Sequence, residues 1–464
     1  MREPFTSAIA ANRFGLGARP GELAAIGGNG PDWLRAQLHG APAALPGAEL
    51  RSSREILARA LELRREVDAA RKQQVAAAEA AQQRLPQYLQ PLYRSEATAR
   101  FQAAVVSDRP FIERLTQFWS NHFAVSIDKQ FLAGLAGSFE REAIRPHVLG
   151  NFSDLLLAVE THPAMLLYLD NHLSVGPNSL AARRAGRRER QRTPGINENL
   201  AREILELHTL GVGGGYSQRD VTTFAEVITG WTIGGEGGRF AAGVPGTFVF
   251  RPELHEPGAK RLLGRRYRDD GFGQGAAVLR DLAQERATAH FIASKLARHF
   301  IADEPPPAAV ARLAEAFARS RGDLPAVYGA LIDTREAWTA PLAKYKTPCD
   351  YIVSSYRGLA LPVDPAHGPL APFEVLGQRT WEPRSPAGWP DKSADWDGAS
   401  ALMRRIQWAD ALGGRVGNRR DVRELAGELL GANLGDGTRA ALAHAASAAQ
   451  ALTLLLAAPE FLRR

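Results

Sequence analysis

The sequence has 464 residues, of which 45% are hydrophobic and 23% are charged, with a net charge of +7. This composition is ordinary for a globular protein with a large buried core, and no run of about 18 apolar residues predicts a membrane span. The single cysteine, Cys349, excludes an internal disulfide framework and any site with several cysteine ligands.

Helical patterns dominate the first half of the chain. Short helices are predicted at residues 8–16 and 22–39. Residues 53–86 are rich in Ala, Arg, Gln and Glu but poor in large apolar side chains, which predicts a protruding helical arm, inserted in the domain and ending at Pro86. Pro110 follows Asp108 and Arg109 and marks the start of a helix over residues 111–123.

An arginine-rich segment interrupts this helical series at residues 180–196. It carries six arginines and one glutamate between positions 183 and 192. We interpret it as a flexible, solvated loop, with binding to nucleic acid as a third functional hypothesis, because such a cluster also suits phosphate backbones. The rest of the sequence shows neither the aromatic residues nor the second basic face that nucleic-acid binding would need.

Later segments alternate between helices and irregular structure. Ser217 and Asp220 form a predicted capping box for a helix that ends at Gly230. Glycines and short apolar runs at 231–268 predict a small β-hairpin or irregular lobe, and helices return from 275 onward, interrupted by a loop at 379–397. The sequence therefore predicts a mainly α-helical protein, folded as a single large domain with insertions.

The segment from residue 197 to residue 211 carries the strongest chemical signal. It places Glu198, Arg202, Glu203 and Glu206 on a predicted helix, and the last three of these, with Asn199, share one face. Such a row forms a salt-bridge lattice, binds a cation or performs acid–base chemistry. In the functional interpretation Glu203 and Glu206 are metal ligands or the catalytic pair, and Glu198 and Arg202 orient them.

A divalent cation would suit this site, because Mg²⁺, Ca²⁺ and Mn²⁺ prefer oxygen ligands. Asp170 is a candidate third ligand, and the alternative is that Asp170 and Asn171 form the C-terminal turn of a helix. His255, beside Glu256 and near Lys260 in the irregular lobe, is a further catalytic candidate, because loops often carry functional residues. A structural role in the loop explains His255, Glu256 and Lys260 equally well.

Three residues are candidates for binding the substrate. Asn121 and His122 end the predicted helix at 111–123, and His122 lies on its apolar stripe, where a packed core histidine is the alternative. Trp389 lies in the 379–397 loop together with Trp381 and Trp396. These side chains form a platform for sugar rings or staple the loop to the protein body.

The motifs at 13–17, 118–123, 197–211, 216–221, 229–231, 255–260 and 458–461 together resemble the bacterial family called domain of unknown function 1800. The resemblance spans nearly the whole chain and implies a mostly helical fold, but no assigned catalytic residues. It also implies genes beside a family that resembles alkaline phosphatases and sulfatases. A non-enzymatic partner or export-associated subunit of such a protein is therefore the alternative to our leading hypothesis, a hydrolase.

The sequence as given shows no secretory signal, because its N-terminus lacks a basic region followed by an apolar stretch. The expected location is therefore cytoplasmic, or export together with a partner protein.

Overall fold

The computed structural model describes residues 3–46, 50–73, 76–129, 131–186, 195–235, 243–339, 342–416 and 420–464. Within these ranges the protein is mainly α-helical, which confirms the predicted fold class. In chain order the α-helices are α1 (Glu3–Ile9), α2 (Glu22–Ile26), α3 (Gly30–Gln37), α4 (Ser53–Gln73), α5 (Ala76–Val106), α6 (Pro110–His122), α7 (Leu132–Phe139), α8 (Phe152–Glu160), α9 (Pro163–Tyr168), α10 (Leu180–Gly186), α11 (Asn199–Glu203), α12 (Gln218–Val227), α13 (Phe272–Ala283), α14 (Arg286–Phe300), α15 (Pro307–Ser320), α16 (Leu324–Ile332), α17 (Pro348–Gly358), α18 (Ala371–Val375), α19 (Ala399–Val416), α20 (Val422–Leu430), α21 (Asp436–Ala443) and α22 (Ala448–Ala457).

The lobe at 231–268 contains two small antiparallel hairpins. Strands β1 (Trp231–Ile233) and β2 (Phe248–Phe250) pair with Trp231 opposite Phe250. Strands β3 (Lys260–Leu262) and β4 (Arg265–Tyr267) pair with Lys260 opposite Tyr267. Residues 236–242 of this lobe lie outside the described ranges.

The starts of α6 and α12 are as the sequence predicts, and α17 begins with a cap that was not predicted. α6 begins at Pro110, where the missing amide hydrogen has no intrahelical acceptor to lose. At the start of α12 the Ser217 hydroxyl oxygen accepts a hydrogen bond from the Asp220 amide, and the Asp220 carboxylate accepts one from the Ser217 amide. α17 begins with the same reciprocal pair, formed by Thr347 and Asp350. These caps satisfy amide groups that the first helical turn leaves without partners.

The predicted helical arm differs from the structure at its end. α5 passes through Pro86 and Pro91 and continues to Val106, so the prediction that the helix ends at Pro86 is wrong. A proline removes one helical hydrogen bond, but Leu85, Leu89 and Tyr93 are buried in the core on either side of it. Tertiary packing therefore holds the helix together across both prolines. That the arm is an inserted element remains a prediction.

Buried apolar side chains form two clusters. The larger one draws on α3 to α9, α11 to α16 and the hairpin lobe, and the smaller one is built around α17 to α22 together with residues near the N-terminus. The loop between α18 and α19 touches both, because Trp381 belongs to the larger cluster and Trp396 to the smaller. This loop therefore crosses the boundary between the clusters, where cavities commonly form.

None of the helices described here is both long enough and apolar enough to cross a bilayer.

Candidate functional site

The acidic helix predicted at 197–211 is divided into two geometries. α11 ends at Glu203, and a π-helical turn follows over Ile204–His208. A π-helical turn is wider than an α-helical one, so the side chains beyond Glu203 depart from the predicted wheel, and such turns are frequent at functional sites. Glu206 therefore does not extend the row of Arg202 and Glu203 as a regular α-helix would.

Glu198 and Arg202 form a network on the protein surface. Their side chains are 2.9 Å apart, and the Glu198 carboxylate also accepts hydrogen bonds from Gln218 at 2.8 Å and from Thr222 at 2.6 Å. These bonds join α11 to α12, and they lower the pKa of Glu198 below its usual value, with the Thr222 bond as the largest cause. The geometry of this pair is that of the salt-bridge lattice.

Glu203 is half-buried, and burial raises the pKa of its carboxyl group, with the Glu206 charge adding to the effect. Among the described residues no hydrogen bond holds the Glu203 side chain. The Glu206 carboxylate is bonded to the Tyr216 hydroxyl, and burial together with Glu206 raises the pKa of that tyrosine. The two glutamates thus interact, but each has a different environment.

Asp170 lies at a separate place in the fold. Its carboxylate is 2.6 Å from the Lys129 ammonium, in a cavity that Arg64 and Arg65 also line. Its φ of 57° gives it a left-handed backbone at the turn after α9. Across the described ranges no group of three or more His, Cys, Asp or Glu side chains is placed to hold a metal ion, so the structure does not unite Asp170 with the two glutamates.

His255 is buried within the hairpin lobe. Its Nδ1 is 3.0 Å from the Thr229 carbonyl oxygen, and its Nε2 is 3.7 Å from the Asp269 carboxylate. Glu256 accepts two hydrogen bonds of 2.7 Å from Asn178, and Lys260 donates to three carbonyl groups of the same loop. These contacts close the loop on itself, and in the described residues no hydrogen bond or ion pair connects His255 to the acidic helix.

His122 connects the end of the acidic helix to a cavity. Its Nε2 is 3.1 Å from the His208 carbonyl oxygen, and the His208 ring is bonded to the buried Glu160 at 2.8 Å. Burial, followed by the charge of Lys295, lowers the pKa of His122 well below its usual value. His122 is therefore a packed, neutral histidine, as the core interpretation predicts, although it also lines the larger of the two cavities described next.

Two adjoining cavities lie where the 379–397 loop folds over α6 and α14, and we call them together the loop cleft. The small cavity has a volume of about 90 Å³ and the large cavity about 680 Å³. Their shared wall contains Asn121, His299, Trp389, Pro390 and Asp391. The structure thus brings all three predicted substrate-binding residues, Asn121, His122 and Trp389, to one cleft.

Asn121 fixes the loop that carries Trp389. Its amide nitrogen donates to the Trp389 carbonyl at 2.9 Å, and its amide oxygen accepts from the Trp389 backbone nitrogen at 2.7 Å. Both ends of the Asn121 amide are therefore engaged by the backbone. In this geometry Asn121 positions Trp389 rather than contacting a ligand directly.

His299 and Asp391 are in contact in the shared wall. His299 Nδ1 is 3.2 Å from an Asp391 oxygen, and His299 Nε2 is buried and has no hydrogen-bond partner among the described residues. Burial and the charge of Arg464 lower the pKa of His299 to about 4, which leaves the ring neutral at pH 7. Burial opposes ionisation of Asp391, but His299, Lys344 and Arg464 outweigh it and lower its pKa to about 2.

Lys295 lies one helical turn before His299 on α14 and lines the large cavity. Burial lowers the pKa of its ammonium to about 8, and the nearby Arg298 acts in the same direction against the attraction of Asp391. Perturbed pKa values beside a cavity are typical of functional sites, although structural ion pairs also cause them.

A group of buried charged side chains lies next to the loop cleft and contacts the helix that carries His299. Asp350 is buried between Arg114 at 3.0 Å and Arg464 at 2.8 Å, and these cations hold its pKa far below the usual value despite the opposing effect of burial. Arg464 also donates a hydrogen bond of 2.7 Å to the His299 carbonyl. The guanidinium of Arg464 therefore joins Asp350 to the element that carries His299.

Lys295, His299 and Asp391 are not among the site residues predicted from the sequence. The only local signal was the spacing of Lys295 and His299, four residues apart and hence on one face of a helix. Asp391 lies in the loop, and its hydrogen-bond contact with His299 spans 92 positions. No spacing rule joins residues so far apart.

A comparison with protein-family models finds one described as "Protein of unknown function (DUF1800)", which matches residues 9–463. The resemblance inferred from the sequence motifs is thereby confirmed over nearly the whole chain. Searches of curated proteins and of solved structures find no match.

Proposed function

Because the chain belongs to the DUF1800 family, whose description assigns no reaction, we propose a function from the geometry of the loop cleft. We propose that the protein is a hydrolase whose reacting groups are His299, Asp391 and Lys295. The observation that carries this proposal is the convergence of the His299–Asp391 pair and Lys295 on the large cavity. The shifted pKa values leave His299 neutral and Lys295 charged at pH 7. A pair with one proton acceptor and one proton donor is suited to acid–base catalysis.

The protonation states assign a role to each group. At neutral pH His299 is neutral and Lys295 is protonated. In the proposed reaction the buried Nε2 of His299 accepts a proton from a water molecule bound next to it, the water oxygen bonds to the electrophilic atom of the substrate, and the bond to the leaving group breaks. Lys295 gives its proton to the leaving group, and exchange with solvent then restores both side chains. Asp391 remains ionised and orients the imidazole through Nδ1.

These roles predict a bell-shaped dependence of kcat/KM on pH. Activity falls below about pH 4, where His299 becomes protonated, and falls above about pH 8, where Lys295 loses its proton. The measurement is the rate of hydrolysis between pH 3.5 and 10 at constant ionic strength. A single rising limb near pH 8 would contradict the assignment, because it would make neutral Lys295 the base.

The direct test is the variant His299→Gln beside the control His290→Gln. His290 is exposed on the same helix, so its replacement changes the same element away from the cleft. The substrates are p-nitrophenyl acetate, phosphate, sulfate and glycosides. We expect His299→Gln to lower kcat at least about 100-fold and His290→Gln to leave it unchanged. Hydrolysis that survives in His299→Gln, or a wild type that leaves all four substrate classes intact, would overturn the proposal.

A hydrolase centred on the acidic helix, with or without a divalent metal, remains a second prediction. The half-buried Glu203 and its raised pKa favour it, because a carboxyl group of that kind suits proton transfer. Elemental analysis of protein purified without chelators, beside a Glu203→Gln/Glu206→Gln double variant, tests the metal form. A stoichiometric Mg²⁺, Ca²⁺ or Mn²⁺ that is lost in the variant would support it, and metal-free protein in both cases would contradict it.

The two hypotheses without catalysis also remain predictions. No contact in the described residues bears on a phosphatase-like or sulfatase-like partner. Of the arginine-rich loop, only the part in α10, with Arg183 and Arg184, is described, and residues 187–194 lie outside the described ranges. Co-purification with the neighbouring protein tests the first hypothesis, and heparin chromatography of a loop deletion tests the second.

A further inference from the structure

The wall of the large cavity carries positive charge that its own neighbours do not neutralise. Lys295 and Arg384 line it and donate no hydrogen bond to any described residue, whereas Arg298 is bonded to the Asp303 carbonyl at 3.3 Å. The Asp391 charge is already engaged by His299 at 3.2 Å, with Lys344 and Arg464 each 4.0 Å away. The three cations in the lining, Lys295, Arg298 and Arg384, outnumber its two carboxylates, Asp391 and Asp395, and an excess of positive charge attracts anionic ligands.

An aromatic surface lies beside these cations. Trp389 is half-buried in the cavity wall, and Asn121 holds its backbone through two hydrogen bonds. Trp396 supports it with ring centroids 6.0 Å apart and an interplanar angle of 50°, and its indole nitrogen donates to the Pro390 carbonyl at 2.9 Å. The two rings are tilted, so they do not form a parallel slot that would enclose an aromatic base on both faces. They leave one rigid apolar ring to cover the flat C–H face of a ligand.

The remaining polar groups suit hydroxyl donors. Asp395 and Ser385 are exposed side chains in the lining of the large cavity. Asp395 takes part in no ion pair with a described residue, so its oxygens are available as acceptors. A carboxylate in the same lining as these cations repels a purely anionic ligand but accepts hydrogen bonds from hydroxyl groups. The volume of about 680 Å³ lies in the range of small-molecule sites.

From this combination we propose that the large cavity binds a sugar that carries an anionic group. The anion, a carboxylate, phosphate or sulfate, is held by Lys295 and Arg384, the ring lies against Trp389, and hydroxyl groups reach Asp395. This inference rests on the proposed function in so far as it names the substrate class of the same cleft. It concerns binding, however, and can be tested without any turnover.

The experiment is saturation-transfer NMR and calorimetric titration of the full chain with defined compounds. The acidic sugars are glucuronate, glucose 6-phosphate and glucose 6-sulfate, and the comparison compounds are glucose, inorganic phosphate, inorganic sulfate and adenosine monophosphate. We expect at least one acidic sugar to bind about tenfold or more tightly than glucose and than the free inorganic anions. The preferred acidic sugar identifies the anion.

Variants separate the two parts of the site. Arg384→Gln weakens binding of the acidic sugar about tenfold and leaves glucose unchanged, whereas Arg404→Gln, on the exposed face of α19, changes neither. Trp389→Leu weakens both sugars, and its thermal unfolding is measured to establish that it folds. If Trp389→Leu does not fold, Trp389→Phe serves instead, because it keeps an aromatic face and preserves binding of the sugar.

Several results would overturn the ligand class. The first group concerns the wild type: glucose or the inorganic anions bind as tightly as the acidic sugars, adenosine monophosphate binds more tightly than the acidic sugars, or no compound binds. The other is that Arg384→Gln binds the acidic sugar as tightly as the wild type does. His299→Gln distinguishes this failure from failure of the proposed function, because it should still bind the acidic sugar. If the wild type binds an acidic sugar and His299→Gln still hydrolyses the test substrates, only the catalytic roles are refuted. If His299→Gln loses hydrolysis but the wild type binds no acidic sugar, only the ligand class is refuted.

Discussion

At the scale of single residues, Lys295 shows how burial lowers the pKa of a side chain in the cavity wall at a cost in stability. The pKa of its ammonium is about 8 in the folded protein, against about 10.4 in an unfolded chain. The unfolded state therefore binds more protons between these values, and the penalty on folding is complete below about pH 8 and absent above about pH 10.

Replacing Lys295 by Met should consequently stabilise the protein at pH 7. We expect the free energy of unfolding to rise by about 1 kcal/mol, a value discounted because the side chain is half-buried rather than fully enclosed. The gain should shrink near pH 10, and hydrolysis should be lost at both pH values. Urea titrations at the two pH values measure this, with the exposed Lys392→Met as control. A less stable Lys295→Met protein at pH 7 would contradict the argument.

The residue scale also shows where prediction from sequence stops. Asn121 and Trp389 were predicted to bind substrate from their separate local contexts, and they do meet in one cleft. The contact between them spans 268 positions, so no local pattern could reveal it. Lys295 and His299 were missed because their pKa values depend on burial and on Asp391, and neither is visible in a sequence of helix-forming residues.

At the scale of elements, the loop between α18 and α19 depends on a glycine. Gly388 has a φ of 83°, and a Cβ atom at this position would lie 2.3 Å from the backbone oxygen of Asn121. Since Asn121 also binds the backbone of Trp389, the close approach at Gly388 is part of the same contact. Gly377 in the same loop has a φ of 85° but no atom within 4 Å of the corresponding Cβ position.

These two glycines give a matched pair of substitutions. Gly377→Ala should cost about 1 kcal/mol, because alanine tolerates a positive φ poorly. Gly388→Ala should cost at least about 2 kcal/mol and displace Trp389, because a steric collision is added to the same backbone strain. Unfolding measurements and the near-ultraviolet circular dichroism of the tryptophans report both effects. Equal costs for the two variants would show that the close approach is unimportant.

The starts of helices were predicted correctly where a few adjacent residues determine them. The Ser217–Asp220 capping box and the start of α6 at Pro110 follow from side chains within one helical turn. The predicted stop at Pro86 failed, because buried side chains in neighbouring turns of α5 outweigh the hydrogen bond that proline removes. The π-helical turn at Ile204–His208 was missed as well, since the intrahelical spacing of polar residues does not distinguish it from an α-helix.

At the scale of the whole molecule, Asp350 joins distant parts of the chain. It lies in the first turn of α17, and its carboxylate pairs with Arg114 of α6 and with Arg464. Asp350→Asn would leave two buried guanidinium groups without their carboxylate, and we expect a loss of about 3–5 kcal/mol at pH 7.

The depressed pKa of Asp350 predicts how this loss of stability depends on pH. The folded-state pKa of Asp350 is depressed, so its contribution is present above the unfolded value near 3.9 and is lost as the pH falls further. The difference in unfolding free energy between wild type and Asp350→Asn should therefore narrow below pH 4. Denaturant titrations from pH 7 to pH 2.5 measure it, with the exposed Asp410→Asn as control. A difference that stays constant over this range would show that the ion pairs do not determine the acid response.

The clamp between Asn121 and Trp389 and the support of Asp391 by Arg464 have a consequence for biosynthesis. A ribosome delivers α6 and α14 long before it adds the residues that cover them, so a nascent chain carries Lys295 and His299 without their aspartate or their tryptophan. The cleft is assembled only after the segment around Arg464 has emerged. Translation that stops after residue 300 but before residue 389 would therefore yield a product that lacks Trp389, Asp391 and Arg464, and in which the loop cleft cannot form.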